Sequence, residues 1–157
     1  MKDASRVVWG LSTLPEAQNA GLFISRGRGR HAERVIESYE LIFTRSGTLS
    51  MKEGDSDFAV GAGQTLILFP GRRHRGTAPY PSDLSFYWVH FTLPSCGRRP
   101  NGRSGRVAVP QHAVAARPEL LEELFRRFLD DQQTGQLTPP QADLLVEAYE
   151  KAEIDPR

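Results

Sequence analysis

From Gly21 to Pro94 the chain consists of short runs rich in β-branched and aromatic residues, cut at close intervals by turn residues. That spacing argues an all-β sandwich or barrel. The runs are GLFISR (21–26), RVIESYELIFTRSG (34–47), TLSMKEGD (48–55), DFAVGAGQTLILFPG (57–71) and LSFYWVHFTLP (84–94), with a turn expected at Glu53-Gly54-Asp55. Leu66-Ile67-Leu68-Phe69 is a continuous apolar run of strand length and should be buried on both faces. In the last strand Phe86, Trp88 and His90 alternate with Tyr87, Val89 and Phe91. Both faces of that strand carry aromatic mass, so one should look into the barrel and the other toward a packed helix.

After Pro118 the period changes. Leu120, Leu121, Leu124, Phe125, Phe128 and Leu129 form an apolar stripe of helical spacing. Pro118 suits the first turn, Glu119, Glu122 and Glu123 favour the N-terminal end, and Gly135 marks the exit. A second helix is expected from Thr138, with Pro139 and Pro140 in its first turn and Leu144, Leu145 and Ala148 as its apolar face. Residues 97–106, GRRPNGRSGR, lack apolar side chains and read as a solvated loop. The chain therefore divides into an N-terminal arm (1–20), a barrel (21–96), a loop and connection (97–117) and a helical hairpin (118–157). The stop at Asp155-Pro156-Arg157, just past the second helix, reads as a trimmed boundary.

At 157 residues the chain suits one domain with a real core. A net charge of +1 creates no global field for nucleic acid or an anionic membrane. The single cysteine, Cys96, excludes an internal disulfide and a multi-cysteine zinc site. No signal-like or membrane-spanning run is present, so a soluble, cytoplasmic protein without membrane contact is expected.

Three segments carry a resemblance. SYELIFTRSGTLSM (38–51) is a Tyr-Glu-Leu strand ending in a glycine turn. VGAGQTLILFPGRRHRG (60–76) is a glycine-led strand reaching Pro-Gly-x-x-His, and FYWVHF (86–91) is a Tyr-Trp-x-x-Phe strand. In order and spacing they resemble the N-terminal domain of AraC-family transcriptional regulators. The resemblance covers residues 21–94 and extends to the trailing helix pair. It implies a mainly β, cupin-like double-stranded β-helix (a jelly-roll barrel) followed by a C-terminal α-helical hairpin. It further implies a small-molecule effector, such as a sugar or similar metabolite, bound inside the barrel. Homodimerisation would run through the helices at Leu120, Leu121, Leu124, Phe128 and Leu145. DNA would be met only through a separate helix-turn-helix domain, which is absent from these 157 residues.

Within such a barrel, Trp88 stands where the family places an aromatic that stacks on the effector. Phe86 and His90 share its face, and His74 sits in the turn after Pro70-Gly71. Arg26 and Arg34 are candidates for a polar effector contact. A buried arginine needs a partner, and Glu40 is available. The arm, with Trp9 and Leu11 as anchors, is a natural moving part. Core filling is the competing account for Trp88, and turn chemistry for His74.

The cupin likeness also raises a metal enzyme, of sugar isomerase or dioxygenase type, and a stand-alone binding module as alternatives. Catalytic cupins carry a His-x-His pair ahead of a glutamate, and a later histidine. Glu40, Gly47 and His74 keep their places, but the positions expected for the pair read Glu33-Arg34-Val35-Ile36, and His31 falls too early. One carboxylate and one imidazole hold a first-row metal poorly. The expectation is therefore a regulatory sensor and not an enzyme, with no catalytic residue, no metal and no cofactor.

Overall fold

The structure is a computed structural model, and it describes residues 6–10, 15–93 and 106–134. Eleven strands and one helix occur among them: β1 (Arg6–Gly10), β2 (Glu16–Ile24), β3 (Arg34–Val35), β4 (Tyr39–Ser46), β5 (Thr48–Glu53), β6 (Ser56–Gly61), β7 (Gln64–Leu68), β8 (Arg73–Gly76), β9 (Ser85–Thr92), β10 (Arg106–Pro110), β11 (His112–Val114) and α1 (Pro118–Gln133). The expected β segments fall on these strands, and the expected turns fall between them except at Glu53.

Two antiparallel sheets, ordered β11-β7-β4-β9-β2 and β3-β8-β5-β6, make up the sandwich, and β1 pairs with β10 in a third, two-stranded sheet. The chain passes to and fro between the two larger sheets, as in a double-sheet jelly roll. Each is a separate hydrogen-bonded unit, so the interior lies between faces and not inside a closed barrel.

The alternation of β9 decides what each face meets. Phe86 and Trp88 join Ile42, Leu66 and Leu68 of their own sheet and Leu49, Met51 and Val60 of the other in the core between the sheets. Tyr87 and Val89 point the opposite way, onto Phe43, Phe125, Leu121 and Leu129, so α1 covers the outer face of the five-stranded sheet. Of the apolar run, Leu66, Ile67 and Leu68 are all buried. The helix begins with Pro118 and Glu119, as its sequence dictates, and ends at a Thr134 cap whose hydroxyl donates to the Asp130 carbonyl at 2.9 Å. Gln132 pins its far end: its amide donates to the Ala20 carbonyl at 3.1 Å and accepts from the Ala20 N–H at 2.9 Å.

Three expectations change. Residues 1–20 are not simply an arm: β1 pairs with β10 from Arg6↔Pro110 to Gly10↔Arg106, and β2 starts at Glu16 and runs along β9. Residues 97–117 are not only loop, since β10 and β11 lie there and β11 extends the five-stranded sheet against β7. Strands this short make sense only through partners distant in sequence, which local patterning cannot reveal. Glu53, expected at a turn, closes β5 and is buried. Its carboxylate accepts from the Phe69 N–H at 2.8 Å and the Gln111 amide at 2.7 Å. One helix of the expected hairpin is seen; the second, with Leu145, lies outside the described residues, as do Leu11 and most of the 97–106 loop.

Candidate functional site

Within the sandwich, β4 and β9 lie side by side in a register that pairs Glu40 with His90, Ile42 with Trp88 and Thr44 with Phe86. The inward face therefore grades from apolar to polar along the strands. Phe86 and Ile42 are fully packed, whereas Trp88 is only partly buried although it faces inward. Its indole lies over Gly21 of β2, its cross-strand partner. A Cβ at Gly21 would stand 2.6 to 2.9 Å from the indole Cζ2, Cε2 and Nε1 atoms, so the absence of a side chain there is what lets the ring lie flat on the strand.

Beyond Trp88 the groups turn polar. The His90 ring meets the indole edge-on at 5.4 Å, its Nδ1 is 2.8 Å from Ser38 Oγ, and its Nε2 is 3.7 Å from Glu40 Oε2. Burial pushes the Glu40 carboxyl up to about 7, against the lowering effect of the Arg34 charge. Burial, and then the charges of Arg34 and His74, push His90 down to about 4. The Glu40–His90 contact at neutral pH is therefore made by a neutral imidazole and is not a full ion pair. His74, on β8 opposite Arg34, is held below the ordinary histidine range, by burial first and by the Arg34 charge second, with the Arg72 backbone opposing.

Phe86, Trp88, His90, Glu40 and His74 thus face one interior. Of the two candidate arginines, Arg34 is the one whose charge acts on Glu40, His74 and His90. Arg26 is exposed, beyond the end of β2. Tyr87 and Tyr80 are packing residues, the first buried against Phe125 at 5.0 Å and the second against Phe23 at 4.6 Å.

Sequence reasoning passed over His31. The count from Glu40 placed it too early for a strand position, and it is not on a strand: it comes from the loop between β2 and β3. Backbone bonds dock that loop on the sandwich, Gly76 N–H to the His31 carbonyl at 2.9 Å and Tyr80 N–H to the Gly29 carbonyl at 2.7 Å. A Cβ at Gly76 would lie 2.8 Å from the His31 nitrogen and 3.1 Å from its Cβ, so glycine is required there for the loop to seat. One donor atom each of His31, Glu40 and His74 then falls within 4.8 Å of the others. A third potential ligand thus comes from the loop before β3 and not from residues 33–36.

Residues 22–148 match the AraC-like ligand-binding domain family. The chain belongs to that family. This AraC-like domain is 26% identical to YisR, an uncharacterised HTH-type transcriptional regulator of Bacillus subtilis strain 168, in a match covering 80% of this chain and 52% of the relative. The chain thus spans about half the length of the curated relative it matches. Among solved structures, the plu4264 protein of Photorhabdus luminescens is similar at a TM-score of 0.41 and 23% identity, covering 57% of this chain and 76% of that one. The SPY1581 protein of Streptococcus pyogenes is similar at 0.39 and 15%, covering 60% and 80%. In the AraC-like domain the Tyr-Glu-Leu strand is β4, the Pro-Gly-x-x-His turn leads into β8, and the Tyr-Trp-x-x-Phe strand is β9. All three line the interior just described.

Proposed function

We propose that this chain is the effector-sensing part of an AraC-type transcription regulator, and that it takes a small polar metabolite, a sugar or a similar compound, against Trp88 inside the sandwich. The observation that carries this reading is the inward, partly buried indole seated on Gly21, with His90 and Glu40 at its polar end. An aromatic face beside a few convergent polar groups is the usual make-up of a small-molecule site, and an indole suits the C–H face of a sugar. Arg34 would favour an acidic or strongly hydrogen-bonding ligand. The site binds and releases, with no bond chemistry. Control of DNA would be exerted through a helix-turn-helix domain elsewhere in the full-length regulator, with the effector favouring one arrangement by as much as its affinity differs between the two.

A thermal-shift screen against neutral sugars, sugar acids and aromatic acids, run in EDTA, tests this. A binder at a hundredfold over its Kd adds about 2.7 kcal/mol of stability. The expected result is a shift with one chemical class that disappears in Trp88→Ala. A shift of equal size in Trp88→Ala, or none with any class, would refute the assignment.

The same reading includes a homodimer built on α1. Leu120 and Leu124, one turn apart, are 37% and 53% exposed, and Phe128 continues the stripe half-buried. Leu121, also expected at the interface, instead packs on the sandwich with Phe125 and Leu129. An apolar row left over after the helix has docked favours a second copy. Sedimentation should show a dimer that Leu124→Glu converts to monomer with the fold retained; a wild-type monomer at high concentration would rule it out.

A further inference from the structure

We propose that His31, Glu40 and His74 form a binding site for a divalent first-row transition metal, with Zn²⁺ and Co²⁺ as its probes. Their donor atoms come from three separate pieces of chain, a docked loop, β4 and β8, and lie within 4.8 Å of one another. Two imidazoles and one carboxylate are a donor set that binds such ions and leaves further positions open.

Two independent features point to a metal ligand. His74 is 1% exposed, yet neither ring nitrogen makes a well-formed hydrogen bond among the described residues, the Arg72 backbone offering only a poorly aligned one. A buried imidazole left that way is costly, and a metal bond to one nitrogen relieves it. His31 Nδ1 lies 3.0 Å from the Ala32 carbonyl. A carbonyl only accepts, so Nδ1 carries the proton, and in the neutral ring Nε2 is the nitrogen that can ligate. A backbone carbonyl holding one nitrogen of the ring is the usual outer-shell arrangement of a metal-bound imidazole. Donors around a tetrahedral ion with bonds of 2.0–2.1 Å stand about 3.3 Å apart, so loading draws the three inward, a movement within reach of a χ rotation at His31.

Arg34 works against this site. Its positive charge is near enough to act on Glu40 and His74, and it would repel a cation held between them. A bound metal would supply a Lewis-acidic anchor for an oxygen of whatever enters beside Trp88. The metal site stands whether or not the domain binds an organic effector.

The test is Co²⁺ binding to the EDTA-dialysed chain, followed by the visible d–d absorption and by the shift in melting temperature, with Zn²⁺ competing. We expect one Co²⁺ per chain, displaced by Zn²⁺. His31→Ala, a half-buried loop position whose loss should leave the sandwich folded, should weaken binding by about 100-fold or more, beyond the 10–100-fold of an outer-shell change. Gly76→Ala, which removes no donor but displaces His31, should weaken it as well. Arg34→Gln should tighten it, whereas the same change weakens an acidic effector. No Co²⁺ spectrum in the wild-type chain, or unchanged affinity in a folded His31→Ala, would overturn the site. The effector screen is run in EDTA and this titration without organic ligand, so each can fail alone.

Discussion

Replacing Phe125 by alanine is expected to cost ~4 kcal/mol and to loosen α1 from the sandwich. Phe125 is 5% exposed, stacks on Tyr87 at 5.0 Å and on Phe43 at 6.4 Å, and is the best-buried apolar residue of the helix. Leu121 and Leu129 flank it in the same cluster, but both are only partly buried. The polar ties from Arg45 to Glu122 and from Gln132 to Ala20 cannot replace that burial, since an exposed ion pair contributes about 1 kcal/mol or less. Urea unfolding followed by circular dichroism should show a lower midpoint and an early loss of helix signal. A single transition with an unchanged midpoint would mean that Gln132 and the ion pair hold the helix, not the aromatic stack. The consequence reaches the proposed function, because Gln132 grips Ala20, the neighbour of Gly21 on which Trp88 rests. Effector affinity and dimerisation should weaken together in Phe125→Ala.

Glu53→Ala should cost ~3 kcal/mol. The carboxylate is where three parts of the chain meet: the end of β5, the Phe69 N–H leading into the β7–β8 turn, and Gln111 between β10 and β11. Truncation leaves the Phe69 N–H without its acceptor and Gln111 with only the Ile67 carbonyl. Arg72, half exposed at 3.5 Å, can turn to water and should add little. Burial raises the Glu53 carboxyl above its ordinary value of 4.5, outweighing the Phe69 N–H, the Gln111 amide and Arg72, which act to lower it. A carboxyl that holds its proton more tightly folded than unfolded makes stability fall as pH rises. The loss begins near the unfolded value and is complete once pH passes the folded one. The stability gap between wild type and Glu53→Gln should therefore narrow as pH rises through that window. Chemical denaturation across a pH series would measure it, and a gap that widened would mean the hydrogen bonds to the ionised form outweigh its desolvation.

Much of this molecule was legible in local pattern. Period-two alternation in FYWVHF placed Trp88 and His90 on one face and Tyr87 on the other, because a strand has no other way to arrange consecutive side chains. The 118–129 stripe announced a helix that packs with Phe125, since 3.6 residues per turn brings those positions onto one side. Pairing across distance was hidden. Nothing in RVVWG names RVAVP, a hundred residues away, as its partner, and without that pairing β1 and β10 read as arm and loop. Which of the exposed or buried fates befell Leu120, Leu121 and Leu124 was likewise undetermined until the helix met its sheet.

The candidate site divides along the same line. Trp88 and His90 were placed on one face by strand alternation, and Glu40 and His74 were singled out by their places in the family pattern. His31 escaped because a loop has no register: its position rests on Gly76 leaving room and on two backbone hydrogen bonds to distant turns. Sequence by itself determined most strands of the 21–94 stretch, which way their side chains alternate and which family they resemble. Tertiary structure alone decided that a loop histidine comes near a strand glutamate and a buried histidine, because proximity between segments is a property of packing and not of spacing along the chain.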